Sequence, residues 1–361
     1  MKALFDITHP AHVHLFKNAI RELHDRGATV HVTSRDKEIT TRLLDAYDID
    51  HESLSESGEG ALSLPAEWAA REVRMLATAR EFDPDVIVGR LNPALVHASQ
   101  VLGVPNVVFM DTEIKSSTIA RVFATVTYPF IDVYCTPPGF ERPNASATHH
   151  EIDFQELAYL HPDQFEPDPD VLTAHGIDPD DDYYVVRFAG WDAYHDVGYS
   201  GLSADGRREL VESLADRGDV YVSSETELPP DLAEYELPMV PQHVHHLLYY
   251  ADLYVGDSGT MSSEAAILGT PAVRTNSMVA DDTESIFREL EEDYGLLYSF
   301  ADEQRALSTV DAILDGERGG DWDRKRERLL ADKQDVTARM VELIGEAAAA
   351  PTPAEPRAVS P

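Results

Sequence analysis

Four stretches of this chain set ionisable or hydroxyl side chains directly after short apolar runs, where the strand ends of an α/β protein present their chemistry. The first is Asp6-Ile-Thr-His9-Pro-Ala-His12-Val-His14, with three histidines in six residues. Histidine titrates near neutral pH and can take a proton from an attacking hydroxyl, so His14 is a candidate general base, with His9 and His12 beside it as substrate contacts. The other reading is a histidine that caps the helix or hydrogen-bonds in a cleft. Metal ligation is disfavoured, because His12 and His14 stand two apart at a helix start and point in different directions. The second stretch is Phe109-Met-Asp111-Thr-Glu113. Its two carboxylates can orient a sugar or act as acid and base if their environments separate their pKa values, and Asp111 can equally be a helix N-cap.

The third stretch, Arg187-Phe-Ala-Gly-Trp191-Asp-Ala-Tyr-His195-Asp196, is a dense polar and aromatic loop. Arg187 suits a bidentate phosphate contact and Trp191 can stack on a base or sugar, with His195 and Asp196 as substrate contacts. Arg187 paired to a local acid is the structural alternative. The fourth, residues 252–271, reads as strand, Ser-Gly turn, helix and Gly-x-Pro stop. The backbone N–H groups of Ser258, Gly259 and Thr260 would face an anion at a helix N-terminus, and Glu264 follows one and a half turns later. Ser258 or Thr260 as a simple cap is the alternative. His243, where a loop meets a helix, faces the same region, whereas His245 and His246 read as helix surface.

The elements that must position these residues alternate from the start. Residues 2–8 form an apolar strand, and residues 12–25 a helix with Val13, Phe16, Ile20 and Leu23 on one face. Strands follow at residues 29–34, 86–89, 106–110 and 132–136, and again at 183–188, 220–224, 253–255 and 272–275. Helices lie between them, and the last runs as one long charged helix over residues 322–347. This rhythm predicts an α/β chain of two doubly wound, parallel-sheet, Rossmann-like domains facing a cleft. The expected N-terminal domain spans residues 1–160 and the Pro- and Asp-rich connection 161–182. The C-terminal domain covers 183–348, its last helix returning to the first domain, and residues 349–361 are an expected disordered tail.

Composition narrows the function. Acidic residues number 66 against 29 basic ones, a formal net charge of −37, and six of the basic residues are lysine. Nucleic-acid binding needs a basic footprint and is not expected. A hydrated acidic surface suits a protein adapted to high salt. No apolar run approaches the roughly 20 residues of a membrane helix. The first residues read as a strand rather than a signal peptide, and Cys135 is the only cysteine. The expectation is a cytoplasmic protein without an integral membrane segment.

With these stretches assembled, the chain resembles the GT-B superfamily of nucleotide-sugar enzymes, and in particular the family called domain of unknown function 354. The resemblance rests on the Asp6–His14 element, the Asp-Thr-Glu at 111–113, the Arg187–Asp196 loop and the helix at residues 260–271. It covers nearly all of residues 1–345. Residues 257–264 also resemble the Asp-Ser-Gly…Glu stretch of UDP-N-acetylglucosamine 2-epimerases, and the Ser-Gly…Glu element of the lipid-linked peptidoglycan N-acetylglucosaminyltransferase. That resemblance implies diphosphate binding by Ser258, Gly259 and Thr260, and ribose binding by Glu264. The epimerases' Gly-Thr-Arg-Pro-Glu and the transferase's Gly-Gly-Thr-Gly-Gly are both missing. The implied function is a metal-independent glycosyltransferase without a cofactor, whose substrate is a nucleotide-diphosphate sugar. His14 would be its base, with Asp111 or Glu113 as the alternative. The partners implied are the nucleotide sugar and a small-molecule, lipid-linked or glycan acceptor, and a homodimer is allowed. A 2-epimerase and a non-catalytic nucleotide-sugar-binding protein are the other readings.

Overall fold

The computed structural model describes residues 1–37, 39–56, 64–111, 118–190, 200–281 and 285–350, the side chains of 64–66, 118–121, 280–281 and 285 aside. The chain divides into two compact units. One comprises Met1–Gln164 with the segment from Asp335 onward, and the other Phe165–Gln334.

The first unit begins with β1 (Lys2–Ile7), α1 (Pro10–Asp25), β2 (Thr29–Asp36), α2 (Thr40–Ala46), β3 (Glu52–Glu56) and α3 (Leu64–Phe82). It continues with β4 (Val86–Arg90), α4 (Pro93–Leu102), β5 (Asn106–Phe109), α5 (Thr118–Thr127), β6 (Val133–Thr136), β7 (Thr148–Glu151) and α6 (Leu157–Leu160). The strands form one parallel sheet in the order β3-β2-β1-β4-β5-β6-β7. The order reverses between β1 and β4, where Asp6 is in register with Gly89. Crevices for ligands open beyond the strand ends at such a point. α1 shows why the sequence folds as it does. His9 caps it, Pro10 pre-sets the first turn, and Val13, Phe16, Ile20 and Leu23 are buried along one face.

The second unit contains α7 (Pro169–Thr173), β8 (Tyr183–Phe188), α8 (Ala204–Ala215), β9 (Asp219–Ser224), α9 (Val244–Tyr250), β10 (Leu253–Gly256) and α10 (Gly259–Leu268). β11 (Ala272–Thr275), α11 (Ser285–Arg288), β12 (Leu297–Phe300), α12 (Glu303–Leu314) and α13 (Trp322–Asp332) complete it. Its parallel sheet runs β12-β11-β10-β8-β9, with the reversal between β10 and β8. Val186, Val255 and Val273 of the central strands lie in its core with Leu210, Leu214, Val310 and Ile313 of the flanking helices.

Two expectations about elements need correction. The long helix expected over residues 322–347 is two helices, α13 and α14 (Val336–Ala349). The Asp335 carboxylate accepts from the amides of Thr337 at 2.8 Å and Ala338 at 3.4 Å, so it starts a new helix instead of continuing the old one. α14 belongs to the first unit, where Thr337 Oγ1 donates to the Ala158 carbonyl at 2.7 Å. Residues 161–182, expected as a connection, contain α7 with Leu172 fully buried, and the division between units falls after Gln164. Of the expected disordered tail at 349–361, Ala349 ends α14 and Ala350 is its C-cap, and residues 351–361 lie outside the described residues. Among the described residues, no helix is long and apolar enough to cross a membrane.

Candidate functional site

In the first unit, Asp6, the penultimate residue of β1, is completely buried. Its carboxylate is paired with the guanidinium of the equally buried Arg71, and accepts from Thr33 Oγ1 at 2.8 Å and Asn92 Nδ2 at 2.9 Å. Asp6 therefore ties β1 to β2, α3 and the loop after β4; it is a structural anchor. Gly89 must be small, since a Cβ there would come 2.9 Å from the Asp6 carbonyl oxygen.

The polar residues of the mouth stand just beyond. His9 is the N-cap of α1, its Nδ1 accepting from the Ala11 amide at 3.2 Å. His12, in the first turn of α1, has Nδ1 within 3.4 Å of the Thr8 amide and 3.3 Å of its hydroxyl. Burial, then the positive charge of Arg90, hold the His12 imidazole well below its ordinary pKa, so it is neutral at pH 7. Arg90 ends β4 and grips Asp111 with both terminal nitrogens, Nη1 at 2.6 Å from Oδ2. The same Nη1 donates to Gln155 Oε1 at 2.7 Å. Although burial opposes it, Asp111 raises the Arg90 pKa further and keeps the guanidinium charged.

His14 is placed differently from His9 and His12. It is 8% exposed on α1, with ring centroids 5.8 Å from Tyr47 and 5.5 Å from Tyr159, and Nδ1 lies 3.4 Å from the Tyr47 hydroxyl. The structure puts it in aromatic packing, one turn past the cap, and leaves His9, His12 and Asp111 at the strand ends. Arg90 and Gln155 are members of this cluster that sequence reasoning missed. The signal for Arg90 was available: it is the one charged residue in Val86-Ile-Val-Gly-Arg90.

In the second unit, Ser258 caps α10 directly after β10, its Oγ accepting from the Met261 amide at 3.4 Å. Ser258 and Gly259 are partly exposed and Thr260 is exposed, so the leading turn of α10 faces solvent. Gly256 and Arg187 are register partners, and a Cβ at Gly256 would approach the Arg187 carbonyl oxygen to 2.9 Å. The buried Asp257 accepts from the Ala189 amide at 2.6 Å, and its own carbonyl accepts from Asn276 Nδ2 at 2.9 Å. It thereby joins the tips of β8, β10 and β11.

Arg187 itself donates to Ser223 Oγ at 2.7 Å and Glu225 Oε1 at 2.6 Å, an ion pair with a local acid. His243 is partly buried, and its Nδ1 has no hydrogen-bond partner among the described residues. Burial, then His175, lower its pKa. The expectation that His245 lies on the helix surface is overturned: it is buried, and Nε2 lies 3.1 Å from Glu264 Oε1. It faces inward because α9 packs on α10. Glu113, Trp191, His195 and Asp196 lie outside the described residues. Among the described residues, His161, Asp163 and Asp335 bring ligand atoms within 4.8 Å of one another, but Asp335 already caps α14 and accepts from Gln164, away from the strand ends.

Residues 1–348 match the family described as Protein of unknown function (DUF354). The chain belongs to that family. A DUF354 chain of this kind is 23% identical over 281 residues to an uncharacterized protein of Methanocaldococcus jannaschii, covering 74% of this chain and 80% of that one. Among solved structures, it is similar to the UDP-GlcNAc 2-epimerase of Neisseria meningitidis bound to UDP-GlcNAc. That likeness has TM-score 0.63 and 13% identity, over 96% of this chain and 99% of that one. It is also similar to the spinosyn forosaminyltransferase SpnP, with TM-score 0.60 and 14% identity over 96% and 99% of the two chains. The fold of this DUF354 protein is thus α/β and GT-B-like, of the kind shared by epimerases and glycosyltransferases.

Proposed function

We propose that this protein is a glycosyltransferase acting on a nucleotide-diphosphate sugar, with the nucleotide held by the second unit and the acceptor by the first. One observation carries the reading. The solvent-facing N-terminus of α10, Ser258-Gly259-Thr260, begins beyond β10 beside the strand-order reversal at which Gly256 pairs with Arg187. A helix N-terminus there attracts a diphosphate through its leading amides and dipole. Arg187 adds a guanidinium that Ser223 and Glu225 hold in place. Glu264, oriented by His245, takes the ribose hydroxyls, and His243 borders the same site. In the first unit Asp111, oriented by Arg90, addresses the acceptor.

The test is calorimetric titration with UDP and other nucleoside diphosphates in molar KCl. Wild-type protein binds one of them, and Glu264→Ala weakens it about fivefold or more, the loss of one or two ribose hydrogen bonds. Unchanged affinity in that variant removes Glu264 from the site. The likeness to an epimerase bound to its nucleotide sugar supports a second reading, 2-epimerisation. Incubation with UDP-N-acetylglucosamine and no acceptor separates the two, because an epimerase forms product there and a transferase does not.

A further inference from the structure

The mouth of the first unit offers hydrogen-bond donors where a general base would offer a lone pair. A backbone amide can only donate, so the Thr8 N–H facing His12 Nδ1 requires a lone pair on that nitrogen. The Thr8 hydroxyl, 3.3 Å away, then donates to it as well. In a neutral ring the single proton consequently sits on Nε2, which has no hydrogen-bond partner among the described residues.

Gln155 is fixed by the same reasoning. Arg90 Nη1 can only donate, so the Gln155 atom 2.7 Å away is its oxygen and the amide nitrogen points elsewhere. Gln155 is 3% exposed, and its Nε2 has no hydrogen-bond partner among the described residues. A buried amide N–H left without an acceptor is destabilising, which marks a place for an oxygen that the protein itself does not supply. Arg90 links the two groups: it bonds Gln155, and its charge acts on His12. That charge is balanced by Asp111, so the cluster presents neutral donors.

We propose that His12 Nε2–H and the Gln155 amide bind an uncharged, negatively polarised oxygen, a carbonyl such as that of an acetamido group, on the sugar the first unit takes. His12 acts there as a hydrogen-bond donor and not as a base. The proposal rests on the nucleotide-sugar reading for the identity of the ligand, and on the geometry alone for the donor character of the cluster.

The decisive experiment has two arms on the full chain in molar KCl. Histidine-selective ¹⁵N NMR, with the His12 signal assigned by its loss in His12→Gln, shows a neutral Nε2–H tautomer at pH 7. An Nδ1–H tautomer or an imidazolium overturns the proposal whether or not any nucleotide binds. In the second arm, free glucose and N-acetylglucosamine are titrated into wild type and each variant, with UDP alongside. Wild type prefers the acetamido sugar by about tenfold. Gln155→Glu abolishes that preference with UDP affinity unchanged, which also shows that the variant folds. His12→Gln, whose amide can donate but cannot take a proton, keeps the preference within about threefold, and His12→Ala loses it. Equal loss in His12→Gln and His12→Ala, or an undiminished preference in Gln155→Glu, refutes the donor pocket. Failure of UDP to bind wild type refutes the nucleotide-sugar reading instead, and the free sugars and the tautomer then decide the pocket.

Discussion

His245 Nε2 lies 3.1 Å from Glu264 Oε1, with the two residues 2% and 5% exposed. The contact joins α9 to α10 beneath the turn that carries Ser258. Removing the imidazole takes a hydrogen-bond partner from a largely buried carboxylate. His245→Ala is therefore expected to lower stability by about 1–3 kcal/mol. His245→Gln, which sets an amide nitrogen near the position of Nε2, recovers at least half of that loss. Urea unfolding in molar KCl measures both, and equal losses would mean that the hydrogen bond contributes nothing.

Asp6 and Arg71 make a second buried pair, at the strand-order reversal of the first unit. Arg71 also donates to the Ser34 carbonyl at 2.9 Å and Ser55 Oγ at 3.2 Å. Both side chains are fully buried, so removal of either leaves an uncompensated charge. Asp6→Ala and Arg71→Ala are each expected to cost about 3–5 kcal/mol, and Asp6→Leu combined with Arg71→Met much less than the sum. Additive losses in denaturant titrations would contradict the pairing.

These two pairs show how far the sequence could be read. Central strands such as Tyr183–Phe188 and Leu253–Gly256 stood out because they are covered on both faces and, Arg187 aside, carry apolar side chains. The edge strands β3 (Glu-Ser-Leu-Ser-Glu) and β7 (Thr-His-His-Glu) did not, because a half-covered polar strand carries no apolar alternation. Asp335 looked like one more acid on a charged helix, although it is the cap that divides it. The acids and histidines at strand ends were legible from position alone. Their partners were not: Gln155 reaches Arg90 across 65 residues and His245 reaches Glu264 across 19, through packing that no local pattern encodes.

Four histidines give stability a pH dependence. Burial lowers the pKa of His12, His149, His150 and His243; Arg90 at His12, Arg339 at His150 and His175 at His243 push the same way, while Glu151 and Glu346 partly oppose the shift at His149 and His150. Each binds fewer protons folded than unfolded at pH values between its folded pKa and its unfolded value of about 6.5. Their contribution is complete above about pH 6.5 and is lost as the pH falls toward the folded pKa values. Unfolding free energy in molar KCl should accordingly decline from pH 7 to pH 5, and His12→Gln should reduce the slope. A flat profile over that range would contradict the buried neutral ring.

The same experiment needs molar salt for a reason that is itself a prediction. A net charge of −37 repels itself in the folded state more than in the expanded chain, and this repulsion opposes folding at low ionic strength. The Debye length shrinks from about 10 Å at 0.1 M to about 3 Å at 1 M, so salt removes most of the repulsion between separated carboxylates. Exposed ion pairs such as Arg208–Asp231 are weakened too, but each contributes little. The repulsion therefore dominates, and the midpoint of thermal unfolding should rise by several degrees between 0.1 M and 2 M KCl. Asp180→Asn together with Asp181→Asn, at exposed positions in a run of three acids, should raise the midpoint at low salt and flatten the rise. Sucrose, which favours compact states without screening charge, should stabilise wild type and variant equally. A midpoint that falls with KCl, or a variant whose salt response equals that of wild type, would show that self-repulsion is not what salt relieves.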